Sequence, residues 1–95
     1  MSEQDIIDKI KAAVLVFDKN ARIVLFGSRA RKESRPDSDW DLLILTSFPI
    51  DEKQKRHLRD NLFMVELETD QAISSIIHYS RYWDRLKVTS LYQTI

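Results

Sequence analysis

Two short apolar runs, at residues 23–26 and 42–45, constrain this chain more than anything else in it. Each holds four consecutive hydrophobic residues with no polar break, which suits a strand covered on both faces. The first begins after Arg22 and stops at Gly27, the only glycine in the chain, and the second follows the carboxylate of Asp41. Strands are therefore expected at 22–26 and 41–45. Buried strands need amphipathic helices to cover them, and 95 residues are enough for a single domain over 1–95 with a small core.

The covering elements are legible on either side. From Ser2 to about Lys19, Ile6, Ile7, Ile10, Ala13, Val14 and Phe17 recur at helical spacing, with Ser2 as N-cap and Asp5 three residues on. Ser28 can cap a helical turn running to about Lys32, and the segment 34–38, with Pro36, reads as a loop. Residues 51–69 read as a helix, with Leu58, Leu62 and Val65 on one stripe and Asp51 and Glu52 at its start. A strand-like alternation over Met64, Val65, Glu66, Leu67 and Glu68 is the competing pattern there. Residues 72–79 suit a third strand, Ser80 a cap for a helix through Tyr82, Trp83 and Leu86, and 88–95 a last short helix. The sum is a small α/β layer architecture, a three-stranded sheet covered by helices.

Charge and composition remove several function classes. Fifteen basic residues balance fifteen acidic ones, so no global field favours nucleic acid or an anionic membrane, and any anion site must be local. There is no cysteine, hence no thiolate nucleophile and no Cys-ligated zinc. No apolar run approaches the roughly 20 residues of a membrane span, and the first ten residues lack the pattern of a signal peptide, so a cytoplasmic location is expected.

The chemistry is concentrated at residues 25–45, LFGSRARKESRPDSDWDLLIL. A glycine between a strand and a helix start lets the backbone approach a ligand closely, and N–H groups of a first turn suit phosphate. Asp37, Asp39 and Asp41 stand two apart, so on extended backbone they share a side, and Asp39 with Asp41 can hold a divalent cation. Mg²⁺ prefers oxygen and is commonly bound by one or two carboxylates plus substrate phosphates. A phosphate cradle followed by an Asp-x-Asp pair points to metal-assisted chemistry on a nucleoside triphosphate. Rival motifs fail on inspection. An EF-hand loop begun at Asp37 would carry Leu42 where glycine is needed and Phe48 where glutamate is needed. One glycine cannot build a Walker A or GxGxxG loop. His57 and His78 have no HExxH spacing, no serine sits in a GxSxG elbow, and Lys53, Lys55, Arg56 and Arg59 read as a solvated basic face. Trp40, Trp83, Tyr79 and Tyr82 are read first as packing residues.

Taken together, GSRAR, a short spacer and PDSDWDL between two buried-type strands resemble the signature of the DNA polymerase beta-like nucleotidyltransferases, in particular their minimal nucleotidyltransferase (MNT) domains. The resemblance implies the nucleotidyltransferase fold with a small mixed sheet. It implies that Gly27 and Ser28 contact the β- and γ-phosphates, that Arg29 and Arg31 serve nucleotide binding, and that Asp39 and Asp41 are catalytic and ligate two Mg²⁺ ions. It further implies transfer of a nucleoside monophosphate, with ATP the expected donor, to a hydroxyl of a protein or small acceptor. Stand-alone MNT proteins resemble antitoxins paired with HEPN-type helical toxins, some of which they modify, so a HEPN-type partner is expected as well. Direct nucleic-acid binding is not.

Two departures from the family pattern stand out. Lys32 replaces a usual glycine, and the third carboxylate, which by the family's spacing would fall near Ala72, is missing from QAISSIIHY. Asp70 precedes that strand and is a third metal-ligand candidate, while Glu66 and Glu68 reach the site only if their segment is a strand. Losing a general base typically costs about 10²- to 10⁴-fold. The alternative to an enzyme is therefore a weak or inactive nucleotide-binding and partner-binding module.

Overall fold

The structure is a computed structural model that describes residues 1–30, 35, 38–82 and 92–95. Helix α1 (Glu3–Phe17) starts at the expected cap. The Ser2 hydroxyl accepts from the Asp5 N–H at 3.1 Å, and the Ser2 N–H donates to the Asp5 carboxylate at 2.9 Å. The Ser2 backbone N–H, more than any other group, holds the Asp5 carboxyl below the usual carboxylate range. The cap is thus at full strength at neutral pH and weakens as the pH falls through that lowered value.

Strands β1 (Arg22–Phe26) and β2 (Trp40–Thr46) pair antiparallel, with Arg22 opposite Leu45 and Phe26 opposite Asp41. Helix α2 (Glu52–Thr69) has a second capping box, Asp51 with Gln54, and ends at Asp70 in the left-handed conformation. Its length rejects the strand alternative for 64–68, and Leu58, Leu62 and Val65 are the buried stripe. Strand β3 (Ile73–Tyr79) then lies parallel to β2, from Trp40 beside Ile73 to Thr46 beside Tyr79. The mixed sheet and the two long helices follow the expected architecture.

The C-terminal readings are corrected in part. Ser80–Tyr82 is a 3₁₀ turn, and Trp83 and Leu86, assigned to a helix from the sequence, lie outside the described residues. Within 88–95, read as a last helix, Tyr92–Thr94 forms strand β4, antiparallel to β1 with Phe26 opposite Tyr92. The sheet order is β3-β2-β1-β4. The physical reason is the open edge of β1, whose N–H and C=O groups need partners that a short helix would not supply. The Ile95 N–H continues the pairing, donating to the Ile23 carbonyl at 2.9 Å.

Both helices cover one face of the sheet. Ile6, Ile10 and Val14 of α1 and Leu58, Leu62 and Val65 of α2 meet Ile23, Leu25, Trp40, Leu42, Ile44 and Ile77 in one core. The alternate residues Val24, Leu43 and Leu45 cluster with Phe26 on the other face. Asp41 has the parity of Leu43 and Leu45, so its side chain belongs to the face away from the helices.

A buried carboxylate locks the far end of the sheet. Asp18, the C-cap of α1, accepts from the Ser47 N–H and the Ser47 hydroxyl, each at 2.7 Å, and from the Asn20 N–H at 3.0 Å. It ties the end of α1 to the end of β2. Replacing Asp18 with Ala strands those donors in a part-buried site, so the variant should lose about 1–3 kcal/mol. Urea denaturation at neutral pH measures this, and an unshifted midpoint would show the tie to be dispensable.

Candidate functional site

At one end of the β1–β2 pair Gly27 and Ser28 follow β1 directly, Asp39 immediately precedes β2, and Asp41 is its second residue. Because Phe26 lies opposite Asp41, the residue after Phe26 turns directly over the Asp41 side chain. That residue is Gly27, with φ +77°, a left-handed conformation in which L side chains are strained. A Cβ at Gly27 would stand 2.5 Å from Asp41 Oδ2, closer than any real contact. The backbone therefore calls for glycine, and any Cβ there would also displace the Asp41 carboxylate.

Gly27 opens a turn that runs through Ala30, with Ser28 half-buried. The helical turn expected from Ser28 to Lys32 is a turn, not a helix, over its described part, and the remainder lies outside the described residues. Arg31 and Asp37 also lie outside them.

Asp39 is exposed and Asp41 half-buried. Trp40 between them points into the core, 1% exposed, which leaves the two aspartates on the opposite face by strand alternation. Trp40 is thus a packing residue, as read from the sequence.

Arg29, expected among the nucleotide-binding residues, has a different position. Its side chain is 5% exposed and turned inward. One terminal nitrogen pairs with Glu3 at 2.9 Å; the other donates to the Ser38 carbonyl at 2.8 Å and to Gln71 Oε1 at 3.2 Å. The guanidinium carbon lies 4.4 Å from the centroid of the Trp40 ring. Arginine suits this place because its planar fork can serve several acceptors while one face stacks on an aromatic ring. Nothing in the local sequence announces it, since the partners come from α1, the loop before β2 and the loop before β3.

The question of the third carboxylate is sharpened by register. Asp41 is the partner of Ser74 on β3; the ladder begins one step back at Trp40 and Ile73, so Asp39 and Ala72 are the residues just before it on each side. Ser74 was not singled out from the sequence, which pointed near Ala72. Ala72 and Ser74 are both exposed. Glu66 and Glu68 are excluded from this face. Glu66, on α2, accepts from the Ile73 N–H at 3.1 Å, and Glu68 pairs with Lys9 of α1 at 2.8 Å. That Lys9 ammonium is held above its ordinary value by the hydrogen bond to Glu68. Asp70 is the exposed left-handed cap of α2. Among the described residues no three acid, histidine or cysteine side chains gather into a metal-binding group, so Asp70 does not complete a triad with Asp39 and Asp41. His57 packs near the Phe17 ring, centroids 6.0 Å apart, remote from this chemistry.

A concavity lies elsewhere, among the described residues. A groove of about 400 Å³ between α1 and α2 is lined by Ala12, Val16, Asn61 and Met64 and closed by the Lys9–Glu68 pair. It lies on the helical side and brings no carboxylate pair together.

Residues 7–92 match the nucleotidyltransferase domain family, and the chain belongs to that family. The expectation drawn from Gly27–Ser28 and Asp39-x-Asp41 therefore holds at family level. Among curated proteins none matches the chain. A solved crystal structure of a toxin-antitoxin with AMP-PNP is similar at 18% identity and a TM-score of 0.49, over 70% of this chain and 56% of the other. This chain thus spans little more than half of that one.

Replacing Gly27 with Ala should cost about 1–2 kcal/mol from the left-handed backbone alone. The clash with Asp41 adds to this, and the combined loss is read as a fall in Tm of several degrees. An unchanged Tm would mean that the turn is not held against Asp41.

Proposed function

We propose that this domain binds a nucleoside triphosphate with Mg²⁺ and transfers a nucleoside monophosphate, slowly, to a hydroxyl acceptor. The observation that carries it is the contact between Gly27 and the carboxylate of Asp41, which sets a side-chain-free backbone turn directly against one acid of an acid pair. A cradle that a single Cβ would fill is what close approach of a phosphate chain requires, and two carboxylates are a fitting donor set for Mg²⁺ shared with substrate phosphates. Asp39 and Asp41 would hold the metal, and Gly27 and Ser28 would face the β- and γ-phosphates. When bound, the metal supplies charge neutralisation for in-line attack at the α-phosphate.

What the chain's own residues do beyond this is limited. A general base beside Asp41 would come from β3, and the residue there is Ser74, whose hydroxyl does not take a proton at neutral pH. The acceptor hydroxyl must lose its proton to solvent, to the substrate, or to a partner. That supports slow turnover, and it also favours the second reading, a nucleotide-binding module that acts by complex formation. MNT-type resemblance makes a HEPN-type helical protein the proposed partner and acceptor, and a toxin-antitoxin role the proposed setting, in the cytoplasm. ATP is the proposed donor.

Incubation with labelled ATP, Mg²⁺ and the product of the neighbouring gene should transfer label, and Asp39→Ala or Asp41→Ala should abolish it. Tight nucleotide binding without transfer would leave the binding-module reading in place of the enzyme.

The register makes a second test specific. Ser74→Asp places a carboxylate beside Asp41, and if the missing base limits the reaction the variant should transfer label about 10²-fold faster or more. No gain would show that the rate is limited elsewhere.

A further inference from the structure

Two aspartates on a strand end make a metal site only if their backbone is held still, and the exposed one, Asp39, sits just before the first residue of β2. The residues on both sides of it are fixed by one side chain. Arg29 takes the carbonyl of Ser38, the residue before Asp39, at 2.8 Å, and its guanidinium covers the ring of Trp40, the residue after it, at 4.4 Å. Gln71 closes the arrangement, its Oε1 accepting both from Arg29 and from the Trp40 indole N–H, each at 3.2 Å. The Trp40 backbone N–H donates to the Ala72 carbonyl at 2.9 Å, which pins the same point to the start of β3. Glu3 anchors the other terminal nitrogen of Arg29 at 2.9 Å.

We propose that Arg29 is a positioning residue for the Asp39 and Asp41 carboxylate pair. It acts through Ser38 and Trp40 and touches neither nucleotide nor metal. The inference rests on the metal-nucleotide reading of the site, but the holding of the segment is a property of the chain alone. It explains why an arginine next to a phosphate-facing Gly-Ser pair is buried instead of being offered to the ligand. It also makes the requirement specific to arginine: a lysine in the same place is a point charge that can satisfy one acceptor and cannot stack a planar group on Trp40. Groups that orient metal ligands through hydrogen bonds typically contribute about 10- to 100-fold in metal affinity.

The test uses Arg29→Met and Arg29→Lys in the full chain with two measurements. Amide hydrogen exchange reads the Trp40 N–H against the N–H groups of α2, and Mn²⁺ titration with a non-hydrolysable ATP analogue reads the site. In both variants exchange at Trp40 should quicken about 10-fold with the middle of α2 unchanged, and Mn²⁺ affinity should fall about 10-fold. Lys9→Gln, which removes the Lys9–Glu68 pair on the helical side, should leave Mn²⁺ affinity as it was. If exchange quickens uniformly through α2 and β3, Arg29 is ordinary core and the proposal fails. It fails equally if Arg29→Lys matches the native chain in both measurements, or if Mn²⁺ affinity is untouched. Should the native chain itself bind no Mn²⁺, the metal-nucleotide reading falls instead, and the local or uniform pattern of exchange alone decides whether Arg29 holds the segment.

Discussion

The antiparallel pairing of β1 with β2 is the constraint on which the site depends. It sets Phe26 opposite Asp41, so the chain leaving β1 passes over the Asp41 carboxylate at a positive φ that favours glycine, where a Cβ would displace that carboxylate. A shift of one residue in this register would turn the Asp41 side chain toward the helices and bring Leu42 to the open face. The register is in turn fixed by burial, because Ile23, Leu25, Leu42 and Ile44 must all face α1 and α2. Core packing on one face thereby places the acids on the other. The placement of these acids on the open face follows from hydrophobic alternation.

Most of the fold was legible because its elements are strongly patterned. The Ser2–Asp5 and Asp51 starts, the stripes of α1 and α2, and the two apolar strands all state themselves locally. The strand β4 did not, since three residues show neither alternation nor helical period, and what makes them a strand is the open edge of β1, a feature of the sheet. The alternation at 64–68 misled in the other direction. Burial of Leu58, Leu62 and Val65 along a helix outweighs a short run of two-residue periodicity at its end.

The site divides in the same way. Gly27 and Asp41 belong to one motif, and their approach could be inferred from spacing because two consecutive strands pair antiparallel. The surroundings of Arg29 could not be read from the motif, because only folding brings Glu3, Ser38, Trp40 and Gln71 to one guanidinium. Asp18 was silent for the same reason, its partner Ser47 being remote in sequence. Ser74 is an intermediate case, because the residue beside Asp41 on β3 depends on the length of α2 and the loop after it. The family spacing points to Ala72 and the ladder to Ser74.

That last difference bears on how the domain would work. Ser74 of β3 lies beside Asp41, Ala72 immediately precedes that strand, and neither is an acid. Glu66 and Glu68, the nearest acids in sequence on α2, are committed to the Ile73 N–H and to Lys9 on the helical side. The chain therefore keeps acids close to its site but directs them to structural tasks. The open face thus carries the Asp39 and Asp41 carboxylates, and among the described residues no third acid, histidine or cysteine gathers with them.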